Sequence, residues 1–169
     1  MAISAEELAI RAALVENYNN YAEGLDSKQW PLVRACFADS ILIDYGPLSA
    51  SSGAPDVPRR ADDWMDYLQG VINGFDITRH TITNHRFTVA DGVVNCRAYL
   101  SADHIIFPDA ANPHIGPQDN ITVVGQYSNT YDEIDGQWKI IKSELVVHYT
   151  HGNLALFESA AARVAAAAG

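Results

Sequence analysis

An α+β fold is what this chain predicts, and three features predict it. Helical periodicity is confined to residues 5–75 and 154–168. Between them lie four runs rich in β-branched and aromatic residues. Each pair of runs is joined by an Asp-Gly dipeptide, Asp91-Gly92 and Asp135-Gly136, the strongest short hairpin signal. Helices followed by a long antiparallel sheet is the α+β order. No internal repeat or linker divides the chain, so one domain over residues 1–169 is expected. A curved sheet wrapped around a long helix makes a cone, closed at the bottom and open at the mouth, which suits a small molecule.

Each element follows from local chemistry. Ser4 with Glu7 is a capping box, and Leu8, Ala12, Val15, Tyr18, Ala22 and Leu25 recur at helical spacing behind it. Gly24 weakens the last turn of that helix. A short second helix is expected over 29–37, with Pro31 tolerated in its first turn. Residues 40–45 form a short strand ending at Tyr45. Residues 46–58, with Pro47, Pro55 and Pro58, form a loop long enough to act as a lid or as a plain connector. A third helix over 60–75 carries Trp64, Tyr67, Leu68, Val71 and Ile72 on one face. The four strands are expected over 78–90, 93–107, 119–133 and 136–149, with a loop over 110–117. An alanine-rich helix over 154–168 should cover a pocket mouth or a neighbouring subunit.

Composition removes several function classes. A formal charge of −10 opposes nucleic acid and anionic membrane surfaces, which require a basic face. With 48% hydrophobic and 19% charged residues the chain is globular. The N-terminus has no basic region followed by an apolar run, and no segment suits a bilayer span, so a cytoplasmic protein is expected. Cys36 and Cys96 stand alone and read as reduced, buried thiols. His148 and His151 diverge on a strand, and no Cys or carboxylate completes a ligand set, so no metal is inferred. Phosphate-binding glycine loops and Gly-x-Ser-x-Gly elbows are absent from the sequence, so neither a nucleotide cofactor nor a serine nucleophile is inferred.

The chemistry centres on Asp26 and His80. Asp26 sits where the first helix runs out, and His80 opens a strand-like run, Arg79-His-Thr-Ile-Thr-Asn84. A carboxylate that fixes the tautomer of an imidazole makes it a better base near neutral pH. The stretch from Asp26 to Tyr45, the His80 region and Ile134-Asp-Gly-Gln-Trp-Lys139 resemble scytalone dehydratase. His80 with Asn84, and Gly125, Tyr127, Asn129 and Tyr131, resemble hexachlorocyclohexane dehydrochlorinase. The chain over about 5–150 thus resembles the SnoaL-like branch of the nuclear transport factor 2 superfamily. The resemblance implies an NTF2-like cone, an Asp26–His80 dyad, and Tyr45 and His104 as further catalytic residues. It places Leu25 where the dehydratase has a tyrosine and matches no lysine on the first helix, so the substrate-recognising shell differs from both enzymes.

Taken alone, Asp26 reads as a cap on the second helix and His80 as a core histidine; in the matched register they read as a dyad. His104 shares strand parity with Leu100 and Ala102, which turns it toward a ligand or toward solvent. Leu25, Trp64, Asn84, Phe107 and Tyr127 are the expected substrate-binding residues. The expected activity is that of a cofactor-free, dehydratase-like lyase acting on a small cyclic or aromatic compound. His80 is its base, and Tyr45 and His104 bind the oxygen on which charge develops. The alternatives are C–C cleavage of the retro-aldol type, polyketide cyclisation, double-bond isomerisation, or a non-catalytic binding module. A broad apolar outer sheet face, with Tyr99, Val124 and Val146, implies a homo-oligomer. The resemblance favours a trimer, with a dimer as the alternative.

Overall fold

The computed structural model describes residues 3–90 and 92–169. Its order is α1 (Ala5–Asp26), α2 (Trp30–Ala35), β1 (Phe37–Asp44), a 3₁₀ turn (Gly46–Ser52), β2 (Arg59–Arg60), α3 (Ala61–Ile72), β3 (Ile77–Ala90), β4 (Val93–Ile105), β5 (Asn120–Ile134), β6 (Gln137–Gly152) and α4 (Leu156–Ala167). The strands form one six-stranded sheet in the order β2-β1-β6-β5-β4-β3. β1 runs parallel to β6, and every other pairing is antiparallel. The sheet is therefore mixed and open, and the helices lie against its concave side. The expected α+β class stands.

Helix α1 begins as its sequence requires, with the Ser4 hydroxyl accepting the Glu7 N–H at 3.0 Å. Its buried face differs from the expected one. Leu14, Asn17, Tyr18, Tyr21, Gly24 and Leu25 are buried, whereas Leu8 is 54% exposed. The apolar stripe begins only where the helix enters the cone, so the first two turns contribute little to it. Gly24 is a packing device. A Cβ there would lie 2.6 Å from Val33 Cγ2, so its absence lets α2 close onto α1. Gly74 does the same for α4, since a Cβ there would meet the Ala160 carbonyl oxygen at 2.0 Å.

Asp135 and Gly136 both adopt positive φ, 52° and 74°, and join β5 to β6 with Ile134 paired to Gln137, as expected for a two-residue hairpin. Of the other hairpin dipeptide, Asp91 lies outside the described residues. Residues 46–58 are more ordered than a plain loop. Arg59 donates to the carbonyls of Ser52 and Ala54, and Tyr67 donates to that of Leu48 at 2.6 Å. These bonds hold Pro47 and Leu48 against the cone as wall. No helix among the described residues is long and apolar enough to cross a membrane.

Candidate active site

A carboxylate at a helix C-terminus opposes the helix dipole, so Asp26 at the end of α1 needs compensation. The neighbouring strand supplies it. Asp26 accepts the Thr78 hydroxyl at 2.9 Å, the His80 N–H at 2.9 Å and the His80 ring at Nδ1 at 2.7 Å. The side chains of His80 and Asp26 are 5% and 10% exposed. Burial on its own raises the Asp26 carboxyl pKa. The His80 hydrogen bonds and charge, with the Thr78 hydroxyl, outweigh it and hold the group below the ordinary carboxylate value. The cap reading fails: Asp26 faces β3, and the N-cap of α2 is Gln29, which makes no side-chain cap bond.

Because the ionised carboxylate only accepts, Nδ1 of His80 carries a proton, which in the neutral imidazole leaves the lone pair on Nε2. His80 faces a cavity of about 260 Å³ between α1, α3 and the sheet, at the small end for ligand pockets. The five apolar-face residues of α3 all line it, together with Leu25, Tyr45, Tyr127 and Leu100. No Lys, Arg, Asp or Glu side chain is in the lining, and Asp26 sits behind His80. Phe157 of α4 closes one side. The helix is held there by a bidentate Arg163–Asp76 pair, 3.1 and 2.9 Å, and by buried Leu156 and Ala160. The alanine-rich segment thus covers the pocket of its own chain.

His104 is 4% exposed and lies diagonally across from His80, because β3 and β4 pair Thr78 with His104 and His80 with Ala102. The two rings meet edge to face, 5.5 Å apart at 81°. His104 Nδ1 is 3.3 Å from the Ile121 carbonyl oxygen. A carbonyl accepts, so Nδ1 is protonated here too. Burial, then the neighbouring His80, depress the His104 pKa to about 3, against smaller opposing pulls from the Ile121 and Ala102 backbone and from Asp26. His104 is therefore a neutral ring with a lone pair at Nε2. Its expected role as a donor to a developing oxyanion would need a proton on Nε2, where this tautomer carries a lone pair.

Tyr45 also differs from expectation. Ser143 Oγ donates to Asn129 Oδ1 at 2.7 Å, and Asn129 Nδ2 donates to the Tyr131 hydroxyl at 3.3 Å. With its one proton given away, Ser143 accepts the Tyr45 hydroxyl at 3.0 Å. Tyr45 in turn accepts from Tyr21 at 3.4 Å. The chain of protons runs from the cavity into the core, so the resting Tyr45 proton is committed. Tyr127, and Tyr21 with its long bond, are the hydroxyls left for a ligand. Burial raises the pKa of all three, Tyr21 and Tyr127 most strongly, so they remain protonated.

Two expected binding residues lie elsewhere. Asn84 would share a strand face with His80 if β3 were regular. Between Thr83 and Arg86, however, β3 advances three residues while β4 advances two, from Tyr99 to Arg97. Asn84 sits in this bulge at φ 57° and is exposed, and His85 takes the inward position. Phe107 lies beyond the end of β4, its N–H held by Asp76 at 2.8 Å. It is outside the cavity lining, and Phe157 supplies the aromatic wall instead. His148 and His151 are exposed on β6. Among the described residues no group of three or more His, Cys, Asp or Glu side chains could hold a metal ion. Cys36 and Cys96 are buried free thiols, both pushed up to about 12 by burial.

Sequence reasoning missed Thr78, Tyr21 and Phe157. Thr78 was detectable, since it lies two residues before His80 on the same strand face. Tyr21 was detectable as the residue one helical turn before Leu25. Phe157 carries no local signal, because only tertiary packing brings it to His104, 5.1 Å between ring centroids.

An open α+β cone with its cavity between helix and sheet is the NTF2-like, or cystatin-like, architecture, and the chain belongs to the SnoaL-like domain family, whose model matches residues 6–144. Among solved structures it is similar to the Kfla4162 protein of Kribbella flavida, with 26% identity over 88% of this chain and 96% of that one, at a TM-score of 0.73. It is also similar to a type 2 hexachlorocyclohexane dehydrochlorinase, with 20% identity over 86% and 89% and a TM-score of 0.68. A scytalone dehydratase-like protein of Novosphingobium aromaticivorans shares 22% identity over 86% and 93%, at a TM-score of 0.66.

Proposed function

We propose that this protein is a cofactor-independent lyase in which Asp26 and His80 act as a general base pair on a small cyclic or aromatic substrate. The observation that carries the reading is the 2.7 Å Asp26–His80 bond behind a cavity wall with no charged side chain, since it leaves the His80 Nε2 lone pair facing an apolar site. His80 removes a proton from a carbon made acidic by a neighbouring carbonyl or aryl group. The electron pair forms the new double bond, and the leaving group departs with its bonding pair. When that group is hydroxide, the proton on Nε2 returns to it as water. Tyr127, and Tyr21 once released from Tyr45, donate to the oxygen on which charge develops, where dry surroundings strengthen the bond. The names of two structural relatives, a dehydrochlorinase and a dehydratase-like protein, agree with an elimination.

A screen of hydroxylated cyclic ketones and phenolic compounds, read by mass spectrometry, tests this. Loss of water is the expected result. Loss of formaldehyde would replace elimination by C–C cleavage. Rearrangement at constant mass would replace it by isomerisation or cyclisation. Tight binding with no product under any condition would make the domain a ligand-binding module.

The same reading includes a homo-oligomer, with a trimer favoured. The outer sheet face carries Tyr99, Val146 and Tyr149, which are 51%, 58% and 60% exposed, beside half-buried Val124. Large exposed apolar patches are uncommon on monomers. Light scattering should report a mass near three times that of the 18.5 kDa chain. A monomeric mass ends this part of the proposal, and a doubled mass replaces trimer by dimer.

A further inference from the structure

We propose that the indole N–H of Trp64 is a hydrogen-bond donor to the substrate, and that it selects compounds which present a carbonyl oxygen to the α3 side of the cavity. The proposal deepens the lyase reading, rests on the same cavity, and names the group that makes the reacting carbon acidic.

Three observations carry it. First, the donor is unmatched. Trp64 is 1% exposed, and its Nε1 bonds no described residue. By contrast, Trp30 Nε1 donates to Asn73 Oδ1 at 3.1 Å. Second, the position is singular. Among the described residues, six buried side-chain nitrogens or oxygens lack a partner, and of these only Trp64 Nε1 belongs to a residue of the cavity wall. Third, the indole is held. It stacks on Tyr67, 5.3 Å away at 12°, and meets Tyr45 edge to face, 5.2 Å away at 86°. Both of those rings are pinned by their hydroxyls, Tyr67 to the Leu48 carbonyl and Tyr45 to Ser143. To swing round toward an oxygen in the core, the indole would have to displace one of them. The Tyr45 ring is a poor substitute for an oxygen, since N–H contacts with aromatic faces are second-order. A buried donor left without an acceptor is costly, and the cavity is the place from which an acceptor can come.

The rings divide the cavity into two chemically different ends. Trp64, Tyr45, Tyr127 and Tyr21 form one run of ring contacts. His80, His104, Phe75 and Phe157 form another, and among the described residues no ring contact joins the two. One end donates, through an indole and phenols. The other takes a proton at His80. A carbonyl compound fits both ends at once. Its oxygen sits at the donating end, and a carbon next to the carbonyl, or conjugated with it, reaches His80. As His80 takes the proton, the C–H electron pair moves toward the carbonyl and its oxygen gains enolate charge. A donor fixed in advance at that oxygen binds it more strongly as the charge grows. The donors are neutral and the lining holds no Lys or Arg, so nothing in the wall repays a carboxylate for its lost hydration. The ligand that fits is a compact, uncharged cyclic ketone or enone.

The experiment titrates the whole chain with 1-tetralone and with tetralin, the same bicycle without the oxygen. Heteronuclear NMR follows the indole N–H resonances of Trp30, Trp64 and Trp138, and Trp64 is assigned as the one missing in Trp64→Phe. Tetralone should move the Trp64 resonance downfield and tetralin should not; the aromatic ring common to both cancels from the comparison. In Trp64→Phe the tetralone-to-tetralin affinity ratio should fall by roughly 5- to 150-fold, the range set by one buried polar atom left unpaired. A second variant carries 3-benzothienylalanine at position 64, which keeps the shape of the indole and puts sulfur in place of the N–H. It should show the same fall while unfolding as cooperatively as wild type, which a packing role for Trp64 would not produce. A Trp64 resonance that stays in place, or moves equally with tetralin, overturns the proposal. So does an unchanged ratio in the benzothienyl variant, or a wild type that binds tetralone no more tightly than tetralin, whether both bind or neither does. Binding requires no turnover, so the two readings fail separately. A downfield Trp64 shift without elimination from any substrate removes the lyase and leaves the donor. His80-dependent elimination that proceeds equally well without a carbonyl removes the donor and leaves the lyase.

Discussion

His80→Ala should lose turnover by about 10²–10⁴-fold, the usual contribution of a positioned base, while the variant should keep the wild-type circular dichroism spectrum and a cooperative unfolding transition. The imidazole lies at the cavity wall, and its packing role is small beside its chemical one. Asp26→Asn should come close to the same loss by a different route. The carboxylate accepts three donors, from Thr78, the His80 backbone and the His80 ring. An amide of the same shape offers one acceptor oxygen and one NH₂ group. Turned so that its oxygen meets the His80 N–H, it points the NH₂ at Nδ1, and the ring proton then moves to Nε2. The lone pair proposed to remove the substrate proton would be gone although the histidine remains. Thr78→Val, which removes one donor and leaves the tautomer alone, should cost far less. Rates on a substrate found by the mass screen decide this. Near-normal turnover in folded His80→Ala would sink the mechanism.

The contrast between Asp26 and Asn84 shows what could be seen in the sequence and what could not. The class of fold was legible because it rests on local signals. The capping box, the α3 stripe and the Asp135-Gly136 turn each declare themselves within a few residues. One wall of the cavity followed from them, since the face of α3 that is apolar by spacing is the face that lines it. Asn84 failed because strand parity assumes a regular strand. One extra residue in β3 reverses inside and outside, and no residue between Thr83 and Arg86 announces it. Positive φ at Asn84 is tolerated by asparagine but not signalled by it. The directions of the hydrogen bonds were hidden for another reason. Whether Tyr45 or His104 donates depends on Ser143, Asn129 and the Ile121 carbonyl, which reach these groups only through sheet register. The pairing of Asp26 with His80 likewise came from a resemblance, not from spacing, because 54 residues separate them.

Acidification should unfold this protein by way of His104 before its carboxylates matter. The direction follows from which state binds the proton more readily. An imidazole in the unfolded chain has a pKa of about 6.5, whereas burial holds that of folded His104 at about 3. Between those values the unfolded chain is protonated and the folded one is not, so stability falls as pH falls. The slope from this one group is about 1.4 kcal/mol per pH unit once pH is clear of 6.5. Half-buried His85, also depressed by burial, acts in the same direction. Asp26 and Asp76 have folded pKa values below the ordinary carboxylate value. Their contribution is present above about pH 4 and is lost only as pH falls through the folded values. The window between about pH 6 and 4 therefore isolates the histidines. Urea unfolding at half-unit steps from pH 7 to 4 should show wild type losing stability throughout that window. His104→Gln should flatten the slope by about 1.4 kcal/mol per unit, because glutamine has no proton to gain. An unchanged slope in that variant would mean that His104 is already hydrated in the folded protein, and the neutral ring at the cavity wall would be lost with it.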